Sequence, residues 1–274
     1  MFGLLRVAAG INILALVGVC VFLLWNGSPA ISWEFLTEPP RRMMTAGGVW
    51  PCIVGTFLLA FGAMLIAFPL GVASAVYLHE YGGKGRYTRY LRLGISNLAG
   101  VPSVVFGLFG LAFFVTFLGM GVSLLAGVLT LAVLTLPVII NTTEEALRQV
   151  PDAWREASLA LGATRWETLI RVVIPSALSG IGTAVMLGMS RAIGETMVVL
   201  MVAGGAAIIP LSIFDPVRPM PASIAAEMAE APFRGDHYFA LFATGIVLFL
   251  FTLLFNMLAF RIAEKHKQTG SSGL

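Results

Sequence analysis

From Cys52 to Leu78 the chain carries no charged residue. A helix needs roughly 20 mostly apolar residues to cross the hydrocarbon core of a bilayer, and this run exceeds that. Five further predominantly apolar runs, of which only 172–209 contains charged residues, lie at 7–25, 93–118, 122–140, 172–209 and 238–260. The third and fourth are parted only by Gly119-Met120-Gly121, a turn by composition. The runs are continuous rather than alternating, which disfavours a membrane β-barrel. The expected fold class is therefore all-α, a polytopic transmembrane helix bundle of about six spans. The first run exceeds a signal-peptide core, and Ser28-Pro29-Ala30 is a poor cleavage site, so it is read as an anchor.

Composition closes off other classes. Only 11% of the 274 residues are charged and 58% are hydrophobic, against about 25% charged in soluble domains. A soluble globule, a disordered chain and a nucleic-acid-binding module are excluded. The pI near 9.1 reflects loop cations instead. Arg6, the basic cluster at 84–92, then Arg148, Arg155, Arg165, Arg171, Arg261, Lys265 and Lys267 all fall on one side of a six-span topology. Arg41, Arg42, Arg218 and Arg234 fall on the other, and Arg191 lies inside the fifth run. The positive-inside rule then puts both termini in the cytoplasm. Cys20 and Cys52 sit in apolar runs, far apart, and are expected as buried free thiols. His79, His237 and His266 are isolated and read as interfacial residues; no metal or catalytic set is evident.

Two features carry function. The loop 141–171 is amphipathic and bounded by Pro137 and Pro175. Its stretch from Asp152 to Leu161 reads as a short helix with Asp152 as N-cap; Gly162 breaks it and Thr164 caps a second. The apolar face of such an elbow needs a cover, either a partner protein or the membrane surface. Within the fifth run, Arg191 and Glu195 are four apart and expected on one helical face. Charges at that depth cost about 2.5–3.5 kcal/mol each and normally face a bundle interior or a wet cavity. Mutual neutralisation would lock helices together. Alternatively the face lines a pathway, the arginine fork donating paired hydrogen bonds to an oxyanion while Glu195 orients it. Glycines 180, 182, 188, 194, 204 and 205 interrupt the run, so a tilted or broken helix is expected.

The loop reads Glu156-Ala157-Ser158, three residues, Gly162, nine residues, then Val172-Val173-Ile174-Pro175. It resembles the EAA loop of ABC importer permeases, departing at Ser158, Val172 and Ile174. Further stretches, Gly47-Gly48, Pro69-Leu70-Gly71, Tyr77-Leu78-His79-Glu80-Tyr81-Gly82, Val101-Pro102-Ser103, Asn141-Thr142-Thr143-Glu144 and Arg191-Ala192-Ile193-Gly194-Glu195-Thr196, are similar to the phosphate-specific members, of the PstA type. The resemblance implies the type I importer permease fold, with a first helix and external loop at 1–50, a permease domain at 51–262 and a cytoplasmic tail at 263–274. It implies Glu156, Ala157 and Gly162 as ATPase-docking residues on a coupling helix, and Arg191, Glu195 and Thr196 on the translocation pathway. It implies an inner-membrane complex importing phosphate, with a PstC-type second permease, an ATP-binding subunit dimer and an extracytoplasmic phosphate-binding protein. The chain has no phosphate-binding loop, so ATP is expected on the partner, with no cofactor here. The segment 205–236, richer in acids than bases, is expected to dock the binding protein rather than capture anions. Rival readings are a permease for molybdate or sulfate, a secondary transporter, for which no convincing internal repeat is found, and a membrane enzyme, for which no catalytic set is present.

Overall fold

The computed structural model describes residues 2–41, 46–83 and 85–271; Arg42, Lys84 and the last residues of the tail, from 272, lie outside them. Helix α1 (Phe2–Gly27) leads through a short turn to α2 (Trp33–Thr37), capped by Ser32 Oγ, which accepts from Phe35 N at 3.0 Å. Strand β1 (Pro40–Arg41) pairs antiparallel with β2 (Ala46–Gly47). Then come α3 (Trp50–Tyr81), α4 (Arg86–Ala99), α5 (Ser103–Phe117) and α6 (Leu124–Arg148). Helices α7 (Asp152–Ala160) and α8 (Arg165–Thr168) form an elbow, and α8 runs without a break into α9 (Ile174–Gly194). The backbone widens at Leu169–Val173, beside Pro175, which has no N–H for the helical ladder. Two short helices, α10 (Met197–Val202) and α11 (Met220–Glu227), precede the long α12 (Asp236–Ser271).

Among the described residues, five helices are long and apolar enough to cross a membrane, and α4 with α5 make a sixth candidate if that bent pair counts as one span. The core is built on α3, α6 and α9, where Leu59, Ala63, Leu131, Ile139, Ala184 and Ile193 are almost fully buried. Small residues let these helices meet closely. A Cβ added at Gly71 would lie 2.6 Å from Ile139 Cγ2, and one at Gly180 would collide with Ala146. Close backbone approach is how helices gain dispersion energy where lipid is as apolar as leucine. By contrast, α1 is exposed over its apolar window and touches the bundle at its end, where Gly27 meets Phe242 and Ile246 and the Phe22 and Phe242 rings lie 5.6 Å apart.

Three expectations need correction. The run 93–118 is not one straight span, because α4 and α5 meet at 99° around Pro102. A residue before proline is pushed out of the α region, and α4 is amphipathic, not uniformly apolar. The loop 141–171 is shorter than read, since α6 continues to Arg148 and the helix that leads into α9 begins at Arg165. Glu144 holds that extension, lying 3.0 Å from Arg148 and 2.8 Å from Arg92. Lastly, Cys20 is only half-buried, although Cys52 is buried and both thiols are free.

Gly71→Val should overpack the α3–α6 contact at a cost of about 1–3 kcal/mol, read as a lower melting temperature of the detergent-solubilised protein. Gly94→Val, at a position with open space around it, should leave the melting temperature nearly unchanged.

Candidate functional site

No residue of α7 is buried in this chain. Glu156 and Ala157 lie exposed on it, and the elbow also displays Trp154, Leu159, Leu161 (89% exposed), Trp166 (61%) and Ile170. Gly162 turns the chain with φ +88° and has empty space where a Cβ would stand. Backbone conformation, not crowding, therefore selects glycine there. Thr164 and Glu167 form a reciprocal cap: Thr164 Oγ1 accepts from Glu167 N at 3.2 Å, and Glu167 Oε2 accepts from Thr164 N at 2.8 Å. Ser158 and Thr168 hydroxyls, 2.9 Å apart, tie the two arms together. Asp152 does not cap α7 as expected. Pro151 occupies the cap position, and Asp152 Oδ1 accepts from Arg155 instead.

Arg155 is the residue that sequence reasoning missed. Its side chain is 15% exposed and spends its donors on three elements. It donates to Glu80 Oε1 at 3.0 Å, to Leu147 O at 3.0 Å and to Val150 O at 2.7 Å, with His79 Nε2 at 3.4 Å. The carbonyl of Leu147 belongs to the last turn of α6, where it also accepts from Val150 N at 3.3 Å, and carbonyls at a helix C-terminus carry partial negative charge. One guanidinium thus fixes α7 to the ends of α3 and α6. Beside it, Arg92 of α4 donates to Leu78 O at 2.8 Å while lying 2.8 Å from Glu144. The partners are 75 residues apart in the chain, so spacing alone carried no signal for the pair.

A cleft of about 560 Å³ opens between α6, α9 and α7, lined by Thr142, Glu145, Gln149, Trp154, Ser179 and Thr183 among others. From it a stripe runs along α9 through Ser176, Ser179, Thr183, Leu187 and Arg191, each step three or four residues and hence one helical face. These side chains are exposed or half-buried. Arg191 ends the stripe with its Nε buried and without a hydrogen-bond partner. A buried polar group left unpaired costs about 1–3 kcal/mol, more when charged. Next to it, Ser190 Oγ donates to Asn256 Oδ1 at 2.7 Å, pinning α12 to α9.

Glu195 does not share that face. The helix stops at Gly194, Glu195 is extended (φ −70°, ψ 129°), and its carboxylate accepts from Val198 N at 3.4 Å, at the start of α10. Thr196 Oγ1 donates back to Gly194 O at 3.3 Å. Among the described residues no ion pair joins Arg191 and Glu195. The expected break in the fifth run is real, and it lies between the two charges.

At the opposite end from the elbow, Glu227 lies 2.7 Å from Arg218 and 3.2 Å from His237. Burial pushes the Glu227 carboxyl above its ordinary range, while Arg218 and His237 pull it back down. Met220 N donates to Thr56 Oγ1 at 2.9 Å, and the Cys52 and Ser223 side chains lie 3.4 Å apart. These contacts fasten the segment 205–236 onto α3 and α12. Among the described residues, no cluster of His, Cys, Asp and Glu is placed to hold a metal.

A bundle with this elbow defines a class. A bacterial alginate ABC transporter, crystallised with its alginate pentasaccharide-bound periplasmic protein, superposes with a TM-score of 0.70 at 14% identity, over 96% of this chain and 93% of that one. The fold is that of a type I ABC importer permease. Residues 67–267 match the family described as binding-protein-dependent transport system inner membrane component, and the chain belongs to that family. It is 37% identical over 244 residues to the phosphate transport system permease protein PstA of Mycobacterium leprae (strain TN), covering 87% of this chain and 79% of that one. It is also 34% identical over 285 residues to the permease protein PstC of Mesorhizobium japonicum, covering 93% and 86%.

Arg155→Ala would leave Glu80 and Val150 O without their donor, and leaving such partly buried groups unpaired costs about 1–3 kcal/mol. Hydrogen exchange over 152–160 should accelerate strongly while the interior of α3 and α6 stays protected. Unchanged exchange in α7 would refute its role as the anchor.

Proposed function

We propose that this chain is the PstA-type subunit of an ATP-driven phosphate importer, forming half of the translocation pathway beside a PstC-type permease. An ATP-binding subunit dimer docks on the α7–α8 elbow through Glu156, Ala157 and the bend at Gly162, and an extracytoplasmic phosphate-binding protein docks on the opposite end, at 205–236. ATP binds and is hydrolysed in the partner. The elbow and both termini lie in the cytoplasm of a cell whose inner membrane holds the permease domain, 51–262.

The observation that carries this reading is Arg191. It stands where α9 breaks, with an unpaired buried donor, at the end of a face of α9 that this chain leaves uncovered. Exposed small and polar residues at membrane depth require water or protein opposite them, which supports a pathway shared with a second permease. A planar guanidinium presents paired donors to a tetrahedral oxyanion. Glu195, with its own hydrogen bond, stays off the arginine and leaves those donors available, while its negative charge nearby opposes overly tight retention. Phosphate as the anion is supported by the phosphate-transport relatives.

In vesicles holding the whole complex, Arg191→Ala should lower ATP-dependent phosphate uptake by about a hundredfold with assembly intact; wild-type uptake would refute the assignment. Sulfate or molybdate competing better than phosphate would reassign the anion. Ala157→Glu should abolish co-purification of the ATP-binding subunits without unfolding the spans; full retention of those subunits would move the docking site elsewhere.

A further inference from the structure

We propose that α4 is a membrane-surface helix that holds anionic lipid headgroups with Arg86 and Arg89. The inference needs only that the chain spans a bilayer and is independent of what it transports. Helix α4 has three faces. Thr88, Arg92, Ile95 and Ala99 recur at helical spacing, and Thr88 is buried and the others half-buried against the bundle. Arg92 secures that face to Glu144 and to Leu78 O, and the Thr88 hydroxyl donates to Gly82 O. A second face carries Tyr87 (73% exposed), Leu91 and Leu98, with Tyr90 at its margin. The third carries Arg86, Arg89, Ser96 and Asn97, interrupted by Leu93, and is exposed. Neither Arg86 nor Arg89 makes an ion pair among the described residues.

Geometry places this helix in the plane of the membrane. It meets α5 at 99°, so when α5 crosses the bilayer α4 lies along the surface. From Ser103 to Phe117 helix α5 rises only about 22 Å, against a hydrocarbon core of about 30 Å. The missing depth of about 8 Å matches the 5–10 Å at which amphipathic helices sink into the boundary between headgroups and chains. At that level the apolar face of Tyr87, Leu91 and Leu98 meets acyl chains, tyrosines sit at the headgroups, and the two arginines meet lipid phosphates. Charge decides the lipid: each basic residue near the surface favours anionic over neutral headgroups. Because the core-facing side is clamped to α3 and α6, the platform is preformed.

Native mass spectrometry of the purified complex, incubated with equal phosphatidylglycerol and phosphatidylcholine, tests this. The wild type should retain phosphatidylglycerol with about a tenfold preference, and Arg86→Gln/Arg89→Gln, at exposed positions, should lose most of it. An equal preference in both overturns the proposal. As a second measurement, phosphatidylglycerol with a photoactivatable acyl chain should label the peptide carrying Tyr87, Leu91 and Leu98. Labelling of other spans with none on this peptide would place protein or water on that face and also overturn it.

Discussion

In hydrocarbon an unpaired peptide N–H or C=O costs several kcal/mol, and this penalty dictates nearly everything in the molecule. It forces the long apolar runs into helices, which pair their backbones internally. It also makes every departure from helix informative, since non-helical backbone at depth survives only against protein or water. The break at Gly194, followed by the extended Glu195, is the departure that matters. It occurs where an arginine holds a buried donor without a partner, and the local side chains are arranged to repair the backbone: Glu195 accepts from the first turn of α10 and Thr196 returns to Gly194 O.

The second organising element is the way the elbow is tied to the spans. Helix α8 flows into α9 without interruption, so a displacement of the elbow is transmitted along α9 towards Arg191. Arg155 adds a parallel connection from α7 to the ends of α3 and α6. Closely packed α3, α6 and α9 resist internal shear because glycines such as Gly71 and Gly180 bring their backbones together. On this account the bundle moves as a body when the elbow is pushed, and what changes is the uncovered face of α9 against its neighbour.

Much of this was legible in the sequence because the relevant signals are local. Apolar run length located five spans, Gly162 and Thr164 located the elbow's bend and second helix, and the glycines of the fifth run announced a break. What escaped is what depends on tertiary partners. The 93–118 run looked continuous because Leu93 and Leu98 are apolar, yet they are exposed on a helix that turns by 99° at Pro102. Arg191 and Glu195 have helical spacing, but that spacing means a shared face only if the helix continues between them. Glu144 and Arg148 fell in the loop read at 141–171, whereas Arg92, from another helix, lets α6 carry them onward. Arg155 looked like one more loop cation; its role rests on Glu80 and on carbonyls that only the fold brings near.

The central claim is that an anion crosses beside Arg191 only when a separate motor drives the elbow. Radiolabelled phosphate flux into sealed vesicles, compared between the purified chain alone and the chain with its permease, ATP-binding and binding-protein partners, tests it directly. The account predicts flux only in the complete system with ATP present. Phosphate entry through the chain alone, without nucleotide, would contradict it.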